Sequence, residues 1–351
     1  MLGDKFKAIA LVDFDYFYAQ CEELRHPEYV NKPIAVCMLT GNESGAVASA
    51  NYIARKYGVK SGMPVSKAKT LAPDLVILPV DMAYYQQVSN KIMERLEEEF
   101  KVLERASIDE AYIYLGEVNK DEAVNAGIKI KRLVKEAAGI KCTVGIGPNK
   151  LIAKMACDSA KPDGLKIVTP EEIDSFLESS RLEDIPYIGL KTVEKLNSMG
   201  IKTIKEARGL SVDELIKLFG EKKGIMIYNF LRGIDERKID MSRKRKEFEK
   251  FIPLKGKTPE EALSEAARKL YERLNGRPFR EVGVIVIFDD LSSKTKSKTF
   301  KYPVTSFEEL LSTALELLKS IEFETGEMKI RRVAVKVSRF EKKEGSLLDY
   351  I

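Results

Sequence analysis

Acidic residues set inside otherwise apolar, β-forming runs are the first groups in this chain that could do chemistry. Leu11-Val12-Asp13-Phe14-Asp15-Tyr16-Phe17-Tyr18 places two carboxylates at the end of one such run, and Ser107-Ile108-Asp109-Glu110 interrupts another, residues 102–115. A carboxylate in a buried strand is costly unless it is paired or coordinates a metal, and strand ends in α/β sheets are where ligands bind. If the two strands are neighbours, three or four carboxylates converge, and their repulsion raises the pKa values unless a divalent cation neutralises them. Oxygen-only donors favour Mg²⁺ or Mn²⁺. With a phosphate substrate this predicts two-metal catalysis, in which one ion activates the attacking oxygen and the other holds the triphosphate and leaving group. Taken singly, either acidic pair is equally a strand ending at a solvated turn.

Other chemistries lack their parts. The single His26 stands before Pro27 at a helix end, a poor place for the general base of a Ser-His-Asp or Cys-His mechanism. Cys21, Cys37, Cys142 and Cys157 contain no C-x-x-C pair, so they read as buried free thiols rather than a zinc ribbon. Gly145-Ile146-Gly147-Pro148-Asn149-Lys150 does not fit the G-x-x-x-x-G-K-[ST] phosphate loop. The longest apolar stretches fall far short of the roughly 18–20 residues that span a bilayer, and no signal-peptide pattern opens the chain. A cytoplasmic, membrane-free protein is expected.

The carboxylates need elements to hold them, and 351 residues are enough for several cores. Up to about residue 168, β-type runs at 8–14, 33–38, 75–78, 102–106, 111–115, 142–147 and 165–168 alternate with helical patterns, notably 82–100 and 121–138, predicting a mixed α/β region. Thr169-Pro170-Glu171-Glu172 is a helix start, and residues up to about 232 read as short helices with a second capping box from Ser211 to Glu214. Residues 241–339 hold 22 Lys and Arg against 15 Asp and Glu, so this section carries the chain's whole positive excess. Its elements follow the order β-α-β-β-α-β, predicting a ferredoxin-like sheet with two helices on one face. Lys294, Lys296, Lys298, Arg331 and Arg332 are expected along the strands of the open face. The run through Arg243, Lys244, Arg245 and Lys246 reads as a solvated linker or a phosphate-tracking segment.

Five stretches together resemble the Y-family translesion DNA polymerases of the DinB or archaeal polymerase IV type: VDFDYFYAQCE (12–22), SGAVASANYIARKYGVKSGMP (44–64), ERASIDEAYIYL (104–115), TVGIGPNKLIAKMACDSAKPDGL (143–165) and IPYIGLKTVEKLNSMGI (185–201). The resemblance runs end to end. It implies a multidomain protein with a catalytic palm at 1–16 and 81–168, fingers at 17–80, and a helical thumb with a helix-hairpin-helix at 169–235. A basic linker at 236–247, a DNA-gripping little finger at 248–341 and a tail at 342–351 complete it. Asp13, Asp109 and Glu110 are then the metal-binding catalytic carboxylates, with the Phe14 carbonyl as a further ligand; Asp15 is not included. Tyr18 resembles the steric gate against a ribose 2′-hydroxyl. Ser49, Tyr52, Arg55 and Lys161 match triphosphate contacts, and Gly45, Ala46, Ala48 and Gly62 match the small residues around the nascent base pair.

At the thumb hairpin, Gly189 is kept but Tyr187 stands where the motif usually has its first Gly, which sets phosphate contact there in question. In the tail, Leu347, Tyr350 and Ile351 resemble the anchors of a sliding-clamp peptide, with Glu344 in place of the usual Gln. The expected activity is template-directed addition of deoxynucleotides to a primer 3′-hydroxyl with release of pyrophosphate, by a monomer of low fidelity and low processivity. Its partners are primer-template DNA, a deoxynucleoside triphosphate and a sliding clamp, and its cofactor is a pair of Mg²⁺ ions. A palm-type nucleotidyl cyclase and a non-catalytic DNA scaffold are the rival readings.

Overall fold

The apolar run around Leu11 forms β1 (Phe6–Phe14), and its alternate residues go to opposite faces. Ala8, Ala10, Val12 and Phe14 join Tyr85, Ile92 and Leu96 of the helix Met82–Glu99 and Ile130 and Leu133 of the helix Lys120–Ala138. Leu11, on the other face, packs with Ala153 and Cys157 of the helix Lys150–Ala160. A strand covered on both faces has no polar side, which is why it reads as an unbroken apolar run. Burying Leu11 completely stabilises the fold by roughly 1.5–3 kcal/mol. By the same alternation, Asp13 lies on Leu11's side, toward the helix Lys150–Ala160.

The computed structural model describes residues 4–39, 45–241, 247–326 and 328–340, and the chain forms two compact units, 1–243 and 244–351. In the first, β2 (Ile34–Leu39), β3 (Gly45–Ala50) and β4 (Val76–Pro79) make a small sheet in the order β3-β2-β4. β5 (Leu103–Arg105), β6 (Glu110–Val118), β7 (Cys142–Gly147) and β8 (Leu165–Ile167) complete the main sheet in the order β5-β6-β1-β7-β8. Each of the seven strands expected in this region forms. β3 has no counterpart among them, because Gly45-Ala46-Val47-Ala48-Ser49-Ala50 is built from small residues with Val47 as its only β-branched member.

The helix Lys150–Ala160 lies so close to β7 that a Cβ on Gly145 would stand 2.1 Å from the Cys157 amide nitrogen and 2.3 Å from the Ala153 carbonyl oxygen. The glycines of this segment therefore serve close packing, in keeping with the lack of a phosphate-loop pattern. After Thr169 the chain is helical in short pieces, as its caps predict. The Ser211 hydroxyl accepts from the Glu214 amide at 3.2 Å, and the Ser211 amide donates to Glu214 Oε2 at 2.8 Å.

The second unit contains β9 (Glu247–Pro253), β10 (Phe279–Phe288), β11 (Ser293–Val304) and β12 (Ile330–Ser338), with the helices Pro259–Leu274 and Phe307–Thr325 packed on one face. The element order is the expected one. Its wholly antiparallel sheet runs β11-β10-β12-β9, so each β-α-β is split by an intervening strand. The second and fourth strands are central here, where a ferredoxin sheet centres the first and third.

One expectation for this sheet is corrected. Val282, Val284 and Val286 face the helices, and their partners across the ladder are Lys298, Lys296 and Lys294. These lysines therefore stand on the helix-covered side, not the open one. Lys296 Nζ donates to Ser320 Oγ at 2.5 Å and pairs with Glu324; Lys294 reaches Glu324 at 3.3 Å and Lys298 reaches Glu316 at 2.9 Å. The open face instead carries Arg332, over the Phe251 ring at 5.0 Å, and Lys336, whose ladder partner is Glu249. Arg331 is exposed beside it. Arg243, Lys244, Arg245 and Lys246 lie outside the described residues, as do Leu347, Tyr350 and Ile351 of the tail.

All four cysteines are free and buried. Burial pushes the Cys37 thiol up to about 11 and Cys21 up to about 12, and holds Cys142 and Cys157 well above the usual thiol range. No helix among the described residues is long and apolar enough to cross a membrane.

Candidate active site

β1 is antiparallel to β6, with Asp13 directly opposite Glu110, and the Phe14 amide donates to the Asp109 carbonyl oxygen at 2.9 Å. Two acidic segments nearly a hundred residues apart thus meet at one sheet end. Asp13, Phe14, Asp109 and Glu110 form one wall of an open cavity of about 350 Å³, and Tyr18, Ala48, Ser49, Tyr52, Arg55 and Lys161 line the rest. Gly45, Ala46 and Gly62 are not on that wall. Ala46 pairs with Met38 in the small sheet, and the Gly62 amide donates to the Val47 carbonyl at 2.8 Å.

Cations gather on the carboxylates. Lys161 Nζ donates to Asp13 Oδ2 at 2.6 Å and pairs with Asp158 at 3.0 Å, while Lys154 pairs with Glu110 and lies 3.4 Å from Asp13 Oδ2. Burial, with Asp13 alongside, pushes the Glu110 carboxyl up to about 7. Burial opposes the Lys154 charge, yet Glu110, Asp158 and Asp13 outweigh it and raise its pKa. Lys154 was not expected from the sequence. Its signal was present: Lys154, Asp158 and Lys161 follow a four- and three-residue spacing that aligns them on one side of the helix and its end.

Tyr18 stacks on Tyr85, with ring centroids 4.7 Å apart and planes 14° from parallel, and the Tyr85 hydroxyl donates to Glu22 Oε1 at 2.6 Å. Tyr52 opens the helix Tyr52–Lys56, its ring edge-on to Tyr16 at 5.1 Å. Arg55, one turn on, lies over the Tyr52 ring at 4.9 Å, donates through Nε to the Ala50 carbonyl at 2.9 Å and lines the cavity. Asn51, also unforeseen, locks this helix in place. It is 1% exposed, accepts from the Ala54 and Ile34 amides, and donates to Glu23 and the Lys32 carbonyl.

At the thumb hairpin Gly189 caps the helix Leu190–Ser198, with open space where a Cβ would stand. Tyr187 holds a φ of 68°, the left-handed conformation that favours glycine. It is 63% exposed, and its hydroxyl accepts from Arg237 at 2.9 Å.

The carboxylate oxygens that line the cavity suit a hard divalent cation, and two ammonium groups are already drawn onto Asp13. Among the described residues no three acidic, His or Cys side chains are gathered tightly enough to cage an ion as they stand. Asp109 is turned to its neighbour, whose Ser107 Oγ donates to Asp109 Oδ1 at 2.5 Å. Of the carboxylates expected to converge, Asp13 and Glu110 face each other across the ladder, while Asp109 joins them through its backbone and lines the same cavity with its side chain bonded to Ser107.

Three family models match the chain: the impB/mucB/samB family over residues 12–158, the DNA polymerase-iota thumb domain over 183–235, and the impB/mucB/samB C-terminal domain over 249–349. A DNA polymerase IV of Nitrosopumilus maritimus is 42% identical over 352 residues, covering 95% of this chain and 96% of that protein. Among solved structures, a Y-family DNA polymerase chimera of Dbh and Dpo4 aligns with a TM-score of 0.88 at 34% identity, covering 95% of this chain and 99% of that one. An insertion ternary complex of Dbh DNA polymerase aligns with a TM-score of 0.69 at 33% identity, over the same shares. Acids meeting at a sheet end in a cavity that Arg55 and Lys161 also line, in a chain similar to polymerases along its length, define a nucleotidyl transferase that copies DNA. The chain belongs to the Y family of DNA polymerases, whose work is translesion synthesis and whose chemistry needs a divalent metal.

Proposed function

We propose that the cavity holds an incoming deoxynucleoside triphosphate against the primer end, with Asp13, Asp109, Glu110 and the Phe14 carbonyl as ligands for two Mg²⁺ ions. Mn²⁺ suits the same donors. The observation that carries this reading is the facing of Asp13 and Glu110 across the ladder, beside a cavity whose other wall presents Ser49, Tyr52, Arg55 and Lys161. The divalent charge, when bound, lowers the pKa of the primer hydroxyl and neutralises the departing pyrophosphate. Arg55 grips phosphate oxygens with its terminal nitrogens, Lys161 adds a point charge, and the Ser49 and Tyr52 hydroxyls donate hydrogen bonds. Ala46, Ala48 and Gly62 leave room for a distorted template base, whereas the missing side chain of Gly45 makes way for the Met38 carbonyl oxygen, 2.1 Å from where its Cβ would stand; fidelity is low because close fit is what rejects a mismatch.

In this reading residues 1–16 and 81–168 are the palm, 17–80 the fingers, 169–235 the thumb, 236–247 the linker and 248–341 the little finger. Arg243, Lys244, Arg245, Lys246, Arg331 and Arg332 meet DNA phosphates, Gly189 opens the thumb hairpin toward them, and the tail reaches a sliding clamp. The enzyme works as a cytoplasmic monomer.

Primer extension across an abasic template site tests the reading. Incorporation that requires both template and Mg²⁺ is expected; DNA binding without incorporation, or cyclisation of the nucleotide instead, sinks it. The steric gate makes a separate claim. Tyr18→Ala removes the ring that Tyr85 supports, and ribonucleotide use should rise roughly 10–200-fold relative to deoxynucleotide, the range that exclusion of a small group commands. Unchanged sugar selectivity in competition assays would take Tyr18 out of that role.

A further inference from the structure

Asp15 follows Asp13 by two residues, yet it is absent from the cavity wall. β1 ends at Phe14, so the strand's alternation no longer governs its direction. Asp15 is 1% exposed. Its Oδ1 accepts from the Thr143 hydroxyl at 2.8 Å and its Oδ2 from the Asp163 amide at 2.7 Å. Asp163 belongs to Lys161-Pro162-Asp163-Gly164, the turn that leaves the helix Lys150–Ala160. That turn is closely determined: Asp163 has a φ of 49°, and a Cβ on Gly164 would stand 2.0 Å from the Ala160 carbonyl oxygen. Lys131 holds it from a second side, donating to the Asp163 carbonyl at 2.7 Å, to Asp163 Oδ1 at 2.6 Å and to the Cys142 carbonyl at 2.8 Å. Both attachments lead to β7, through Thr143 and Cys142. Lys161, the first residue of the turn, reaches Asp13 Oδ2 at 2.6 Å.

We propose that Asp15 and Lys131 are positioning residues for nucleotide binding: by clamping Asp163 between them they set the Lys161 ammonium for the triphosphate, and Asp15 is not a metal ligand. This rests on the reading of Lys161 as a triphosphate contact. A lysine is a flexible point charge, so its value to a phosphate depends on how firmly its backbone is held. Asp15 suits the task because an ionised carboxylate offers two accepting oxygens, one for Thr143 and one for the Asp163 amide. Asn offers one accepting oxygen and no charge: it can hold the Asp163 amide only through a weaker, neutral hydrogen bond, with its NH₂ turned to the Thr143 hydroxyl.

The test is single-turnover incorporation by the full chain on primer-template, comparing Asp15→Asn, Lys131→Met, Lys161→Met and the double variant Asp15→Asn/Lys161→Met. Each single change should raise the nucleotide concentration for half-maximal rate by about tenfold, and for Asp15→Asn and Lys131→Met the maximal rate and DNA affinity should stay close to wild type. The double variant should bind nucleotide no more weakly than Lys161→Met alone, the mark of two changes acting through one group. If Lys161→Met leaves nucleotide affinity unchanged, the reading of Lys161 falls and the inference with it. If Lys161→Met weakens binding while the other two do not, or the double loses the product of both effects, the positioning role falls and Lys161 keeps its own. Weaker Mn²⁺ binding by Asp15→Asn, read by electron paramagnetic resonance, would make Asp15 a ligand and overturn the proposal. Should Asp15→Asn not fold, the pair Lys131→Met and Lys131→Met/Lys161→Met makes the same comparison from a side chain that is 24% exposed.

Discussion

Replacing Asp109 or Glu110 by Ala is expected to slow nucleotide incorporation about a thousandfold, ~4 kcal/mol of barrier, while binding of primer-template stays near wild type. The two results separate because the residues sit at a sheet end lining the cavity, while the arginines proposed to meet duplex phosphates belong to other segments of the chain. Asp109 is the cleaner case. Its side chain bonds Ser107 within its own turn, so its loss costs the fold little. Glu110→Ala removes one of two carboxylates that face each other, and Lys154 keeps Asp13 and Asp158 as partners. Stopped-flow incorporation alongside a DNA-binding titration gives the comparison; a variant that extends at the wild-type rate ends its residue's assignment as a catalytic carboxylate.

Gly145→Ala is the largest effect expected on stability. The added methyl would lie 2.1 Å from the Cys157 amide nitrogen and 2.3 Å from the Ala153 carbonyl, both backbone atoms that move only if the whole helix moves. Such overpacking costs about 3 kcal/mol, which lowers the thermal midpoint of a unit this size by roughly 10 °C. The helix displaced is the one that carries Lys154 and leads to Lys161, so incorporation should fall with stability. Gly189→Ala is the control: its φ is −81° and nothing lies near the added methyl, so calorimetry should find its midpoint close to wild type. Equal midpoints for the two variants would show that the helix yields easily and that the close approach is not what holds it.

The reasons some features were legible in the sequence, and others not, are local. β1 and β6 were readable because apolar runs were broken by acids that a buried strand does not tolerate without cause, and the thumb because Ser211 and Glu214 sit at capping distance. β3 was not, since its small residues carry no β-forming signal of their own and pair only because β2 is there. The side taken by Lys296 and Lys298 was hidden for another reason. Their strand alternates lysine with serine and threonine, so neither face is apolar, and only the register against Val284 and Val282 decides which side meets the helices. Lys154 was missed although its spacing was plain, because an ion pair to residues more than forty positions away leaves no local trace.

The four interior thiols have a practical consequence. With every native sulfhydryl shielded and its acidity suppressed, maleimide reagents should find no ready target on the wild-type surface. A cysteine substituted for an outward residue such as Ile128, which is 55% exposed, would then accept a dye at one known position. Fluorescence tracking of single molecules could start from that one substitution, without first stripping out the natural cysteines.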